Sequence, residues 1–94
     1  MQGKRRATVD NRTGENILFS ELQAGDYWKV IYVDGSEHWY CLAPSVDGQA
    51  SAIGNLSNHS IEEHEDGTIT VSPSILIMPS GYHGFLERGV WRSA

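Results

Sequence analysis

Apolar positions in this chain fall in short alternating runs, not in the three-and-four spacing of an amphipathic helix, so the pattern predicts strands. The clearest signal is a pair of aromatic and β-branched runs, Tyr27–Val33 and Ser36–Ala43, on either side of Asp34-Gly35. An Asp-Gly pair between such runs favours a two-residue hairpin loop. That loop predicts Val30 opposite Trp39 and Trp28 opposite Cys41, and hence an inner face of Trp28, Val30, Trp39 and Cys41. The other face would read Tyr27, Lys29, Ile31, His38, Tyr40 and Leu42, amphipathic and only partly covered.

A second hairpin is predicted over Ser60–Glu65, Asp66-Gly67 and Thr68–Ser72. Here a two-residue loop would put Glu62 and His64 on the same face as Ile69 and Val71, a costly burial. A three-residue loop, Glu65-Asp66-Gly67 with Gly67 left-handed at a bulge, aligns Ile61 and Glu63 with Ile69 and Val71 instead. After Pro73, Ser74–Met78 is apolar on both faces, as expected of a central strand covered on both sides. Pro79-Ser80-Gly81 turns the chain, and Tyr82–Glu87 and Val90–Arg92 form a third hairpin around Arg88-Gly89. The stretch from residue 1 to 16 has no hydrophobic period and reads as a flexible N-terminal arm. Ser20 before Glu21-Leu22-Gln23-Ala24, with Gly25 after them, predicts one helical turn that delivers Leu18 or Leu22 to the core. The fold expected is therefore all-β and mainly antiparallel. It would be a small β-sandwich or rolled sheet of six to seven short strands with at most one helical turn, a single domain over residues 17–94.

Length and charge bound this picture. With 94 residues the chain has room for one core, and a domain of that size covers its apolar surface incompletely, which makes homo-oligomerisation a natural route to stability. Seven Lys plus Arg against twelve Asp plus Glu give a net charge of −5, which disfavours docking on a phosphate backbone. Lys4-Arg5-Arg6, the one basic cluster, is expected to solvate the loose arm. A single cysteine, Cys41, excludes an internal disulfide, and no apolar run is long enough for a signal peptide or a membrane span. A soluble protein of a reducing cytoplasm, with neither nucleic acid nor membrane as partner, is the expectation.

Several side chains invite a chemical reading. His38, Cys41 and His59 are candidate metal ligands, and His38-Trp39-Tyr40-Cys41 looks like a chelating pair. Residues three apart on a regular strand point to opposite faces, however, which favours a core thiol and a surface imidazole. The acidic run Glu62-Glu63-His64-Glu65-Asp66 reads as a solvated hairpin tip, since alternating carboxylates do not converge on a cation. Ser72, Ser74 and His83 form the one hydroxyl and imidazole cluster worth nominating, although no nucleophile elbow, oxyanion hole or glycine-rich phosphate loop accompanies it. Three Trp and four Tyr are many for so short a chain. Trp28 and Trp39 are assigned to the core, leaving Tyr40 and Trp91, with Tyr27 and Tyr82, as a candidate exposed aromatic patch for a partner.

The segment Gly67-Thr68-Ile69-Thr70-Val71-Ser72-Pro73-Ser74-Ile75-Leu76-Ile77, followed by Tyr82-His83-Gly84-Phe85-Leu86-Glu87-Arg88-Gly89-Val90-Trp91, resembles a group of small uncharacterised bacteriophage and prophage proteins. The resemblance lies in a Ser-Pro-Ser-apolar strand followed by a His-Gly-Phe hairpin and covers the last third of the chain. Members often carry a paired-cysteine element that looks zinc-binding. The corresponding stretch here, Cys41-Leu42-Ala43-Pro44-Ser45, keeps one cysteine, so only Ser72, Ser74 and His83 carry over and no cofactor is expected. The resemblance implies a small phage accessory protein acting in the host bacterial cytoplasm. The expected role is a non-catalytic binding module for a host or phage protein. The alternatives are a ligand- or metal-dependent activity centred on His83 with Ser72 and Ser74, and a small structural protein of the virion.

Overall fold

The computed structural model describes residues 1–94. Eight strands are arranged as two four-stranded sheets that close on a shared core. The first sheet holds β1 (Val9–Asp10), β2 (Tyr27–Ile31), β3 (Glu37–Leu42) and β4 (Ile53–Asn55) in that order. The second holds β5 (Ser60–Glu63), β6 (Ile69–Ile77), β7 (Tyr82–Glu87) and β8 (Val90–Ser93). Every pairing is antiparallel except β1 with β2. The mainly antiparallel all-β expectation therefore holds. Strands β1 and β4, too short to show a period, are additions to it. No helix is long and apolar enough to cross a membrane.

The second hairpin has the predicted register, Ile61 opposite Val71 and Glu63 opposite Ile69, with Gly67 at φ 87°. The first hairpin uses the same three-residue loop, not the two-residue one expected from Asp34-Gly35. Gly35 has φ 85°, and Tyr32 and Ser36 close the loop as His64 and Thr68 close the other. In each, the Asp side chain decides the geometry. Asp34 Oδ1 accepts from the Ser36 N–H at 2.9 Å and its hydroxyl at 2.6 Å, and Asp66 Oδ1 accepts from the Thr68 N–H at 3.0 Å and its hydroxyl at 2.6 Å. A side-chain acceptor two residues back imitates a backbone turn and fixes one left-handed glycine, not two left-handed residues. The third hairpin has no such Asp, and there Arg88 (φ 46°) and Gly89 (φ 78°) are both left-handed between the paired Glu87 and Val90.

The extra loop residue slides the first hairpin by one position, with a large consequence. Tyr27 faces Cys41 and Lys29 faces Trp39, so Tyr27, Trp39 and Cys41 enter the core, while Trp28 and Val30 lie on the opposite face with Tyr40 and His38. The inner face predicted from Trp28 and Val30 is thus corrected.

Within the core, Tyr27, Trp39, Cys41 and Ala43 of the first half meet Ile69, Val71, Ile75, Ile77, Tyr82, Leu86 and Trp91 of the second, with Leu56 between them. Gly84 of β7 has no room for a side chain, because an added Cβ would overlap the Arg92 carbonyl and the Tyr82 ring. Pro73 falls where the β6–β7 register shifts between Val71 and Ile75, a place where a missing N–H costs no ladder bond. Beyond it β6 is covered on one face only, since Leu76 is 61% exposed between the buried Ile75 and Ile77, and Met78, just past the strand, is 68% exposed. The segment expected to be covered on both sides is therefore buried on one face alone.

The first sixteen residues, expected as a loose arm, are hydrogen-bonded into both sheets. Met1 exchanges two bonds with Trp91, the Gly3 N–H donates to Gly89 O, and Tyr27 bonds to Lys4 on one side and Arg6 on the other. Backbone pairing of this kind leaves no side-chain period to read. The basic cluster is also engaged. Arg5 pairs with Glu63 at 3.3 Å and covers the Trp39 ring at 5.0 Å, and Arg6 lies 3.7 Å from the buried Asp26. A single turn does precede β2, but as a 3-10 turn over Phe19–Glu21 with Ser20 inside it and Leu18 turned outward. A similar turn spans Asn11–Thr13.

Candidate functional site: an aromatic groove on the first sheet

Alternation along β2 and β3 places Trp28, Val30, His38 and Tyr40 on the face of the first sheet that turns away from the core. Trp28 stacks on Tyr40 with centroids 6.3 Å apart and planes at 16°, and Tyr32 stacks on His38 at 4.1 Å. The Tyr32 and Tyr40 hydroxyls are hydrogen-bonded to each other, which joins the two stacks. Burial, and then the neighbouring Tyr32 hydroxyl, push the Tyr40 phenol upward, so it remains a neutral donor and acceptor at physiological pH. His38 is held from both sides, Nε2 at 3.1 Å from Ser36 Oγ and Nδ1 at 2.9 Å from Ser57 Oγ.

The residues before β2 cross this face as a strap. Ile17 and Phe19 from the strap, Val9 of β1 and Ile53 of β4 join Trp28, Val30, Tyr32 and Tyr40 around a groove of about 390 Å³. Asn11 and Asn16 supply its polar margin, and no charged side chain lines it. Trp28 is only 2% exposed although it stands outside the main core, whereas Phe19 at the groove's lip is 66% exposed. An apolar concavity with a few neutral polar groups at its edge is suited to binding and offers no acid, base or nucleophile.

Of the residues nominated from sequence, Tyr40 lies in this groove. Tyr82 and Trp91 do not form an exposed patch with it. They are core residues, 5% and 3% exposed, packed edge to face at 5.5 Å, and the Trp91 indole donates to Gly25 O at 2.8 Å. Strand alternation on β7 and β8 turns them inward, because Leu86 stands opposite Trp91 and Ile77 opposite Tyr82.

The second sheet brings Ser74 and His83 together on its outer face, as nominated, with His83 Nε2 3.3 Å from Ser74 Oγ. His59 joins them, its Nε2–H donating to the Ser74 carbonyl at 3.1 Å while its buried Nδ1 has no partner. Ser72 is exposed opposite Ser60. His83 makes no ion pair with a carboxylate that would orient it, so the arrangement is a solvated hydrogen-bonded pair and lacks the third member of a nucleophilic relay.

His38 and Cys41 point to opposite faces of β3, as the alternation argument required. Burial pushes the Cys41 thiol up to about 12, far from the thiolate a metal would need. No group of three or more His, Cys, Asp or Glu side chains gathers in ligand geometry. The acidic run is divided by alternation, with Glu63 turned toward Lys29 at 2.8 Å and Glu62 left outside.

The sequence pattern missed Phe19, Ile17 and Ile53 as groove residues. The apolar triplet Ile17-Leu18-Phe19, just ahead of the turn expected after Ser20, is the signal that points to Phe19 and Ile17. Compared with protein-family models, curated proteins and solved structures, the chain matches none.

Proposed function

We propose that this chain is a non-catalytic binding module that engages a protein partner through the aromatic groove of its first sheet. The observation that carries this reading is the groove itself, which is apolar, open, uncharged and bordered by a Phe19 ring that the fold leaves two-thirds in solvent. Large exposed aromatics beside a concavity are typical anchors of protein interfaces. The resemblance of the C-terminal third to phage proteins supports an accessory role in the cytoplasm of a bacterial host. A second reading, a ligand-dependent activity at Ser74 and His83, is favoured by their 3.3 Å approach alone.

Affinity capture from host and phage-infected lysates separates the two. The wild type should retain a stoichiometric partner that Phe19→Asp loses and His83→Ala keeps. Retention by Phe19→Asp together with loss by His83→Ala would transfer the function to the second sheet.

A further inference from the structure

An aspartate followed by glycine sets a side-chain carboxyl beside a backbone nitrogen that no Cβ shields, and attack of that nitrogen on Cγ closes a succinimide. The chain has three such pairs, Asp34-Gly35, Asp47-Gly48 and Asp66-Gly67, while none of its asparagines precedes a glycine. The covalent chemistry is the same at all three. Only the fold separates them.

At Asp34 and Asp66 both reacting groups are occupied. Gly35 and Gly67 stand fourth in their turns, where the N–H makes the closing bond, donating to Tyr32 O at 2.8 Å and to His64 O at 3.0 Å. The carboxylates are held two residues on, by the N–H and hydroxyl of Ser36 and of Thr68. Those bonds, the hydroxyl's above all, keep both carboxyls below their ordinary value, ionised and therefore poor targets for a nucleophile. Ring closure there requires the loop to open first.

Asp47-Gly48 is built differently. It lies in the connection between β3 and β4, where the Gln49 N–H donates to Val46 O at 2.7 Å and Gly48 has φ 70°. Gly48 is thus third in its turn, a position whose N–H takes no part in the closing bond. Within residues 45–51 the hydrogen bonds are that closure and a 2.9 Å contact between the Ser45 and Ser51 hydroxyls, so the Gly48 N–H and the Asp47 carboxylate are both free. Both residues are exposed to water.

We infer that Asp47 is a site of spontaneous backbone isomerisation, and that the two Asp-capped hairpin loops suppress the same reaction at Asp34 and Asp66. The Gly48 nitrogen forms a bond to Asp47 Cγ, the Cγ–OH bond breaks, and water leaves with the amide proton. Solvent water then opens the ring. Addition at Cγ restores aspartate, whereas addition at the backbone carbonyl leaves the chain running through Cγ as isoaspartate, with a free α-carboxylate.

The test is incubation of the full chain in neutral buffer made with oxygen-18 water, folded and in urea. Each ring opening adds one labelled oxygen, and electron-transfer fragmentation tells isoaspartate from aspartate. Cleavage after glutamate puts the three pairs in separate peptides, because Glu37 divides the first from the second and Glu62 the second from the third. With each rate taken relative to its own peptide in urea, the folded chain should take up label about tenfold faster at Asp47 than at Asp34 or Asp66, the factor that one hydrogen-bonded opening imposes. Isoaspartate should accumulate at Asp47 alone. Ser36→Ala should raise labelling at Asp34 and leave Asp66 unchanged. Equal relative rates at the three pairs, or an Asp47 that labels in urea but not in the folded chain, would overturn the inference. Unchanged labelling of Asp34 in Ser36→Ala would overturn the protective role of the loop.

Discussion

The two sheets share one core but turn differently built faces outward. On the first, large rings alternate with the core set, and a strap crosses them, so Trp28 is nearly as covered as a core residue without belonging to the core. On the second, the outward positions of β6 are Thr70, Ser72, Ser74 and Leu76, none of them aromatic, and Leu76 is left 61% exposed. A concavity forms where bulky rings stand apart beneath an overlying segment. A bare strand face with small side chains stays flat. The same alternation rule therefore produces a binding groove on one side and a solvated Ser74 and His83 pair on the other.

The contrast is sharpest in stability. Trp28→Ala should cost about 3–5 kcal/mol, as for a core aromatic, although the ring lies outside the main core. Leu76→Ser on the second face should stay within about 0.5 kcal/mol. Urea denaturation checks both, and comparable values for the two would remove the distinction between the faces.

Next in size are the matched hairpins, one in each sheet. Gly35→Ala and Gly67→Ala should each destabilise by about 1–2 kcal/mol, because both glycines are left-handed in the same loop. A large cost at one and none at the other would show that the loops are not equivalent.

The ion pair joining the sheets has a smaller effect. The Lys29 ammonium holds the Glu63 carboxyl below its ordinary value of 4.5, and Glu63 raises Lys29 above 10.5. The Glu63 contribution is present above pH 4.5 and is lost as pH falls through its depressed value. The Lys29 contribution is complete below 10.5 and is lost as pH rises beyond it. Because Glu63 is partly exposed, Glu63→Gln should cost less than about 1 kcal/mol at neutral pH and should flatten the acid limb of a stability profile. An unchanged acid limb would remove the pair from the account.

Smallest of all, Ser74→Ala and His83→Ala should each leave stability within about 0.5 kcal/mol, and partner capture unchanged. Loss of capture in either would show that the flat face is the functional one.

Fold class was legible because alternating runs and Asp-Gly or Arg-Gly turns mark strands wherever side chains point alternately to oil and water. The register of the second hairpin was legible too, since a wrong slip would bury Glu62. At the first hairpin both slips bury aromatic residues, so periodicity could not choose between them, and the deciding term was the bond from Ser36 to Asp34. That one-residue slip separates Trp39 in the core from Trp28 in the groove. Met1–Arg6 was illegible for a different reason, because its pairing with β2 and β8 is made by backbone groups common to every residue. Trp91 was legible as aromatic but not as buried, since Met1, Gly3 and Gly25, distant in sequence, close over it, and Tyr82 packs against that same ring.

The account turns on which outer face meets the partner. The most direct measurement is an NMR footprint of the captured partner on isotope-labelled protein. The groove reading predicts that the Trp28 indole and the amides of Phe19, Tyr40 and Ile53 shift or broaden while those of Leu76 and His83 stay in place. Perturbation confined to Ser74, Leu76 and His83 would contradict it.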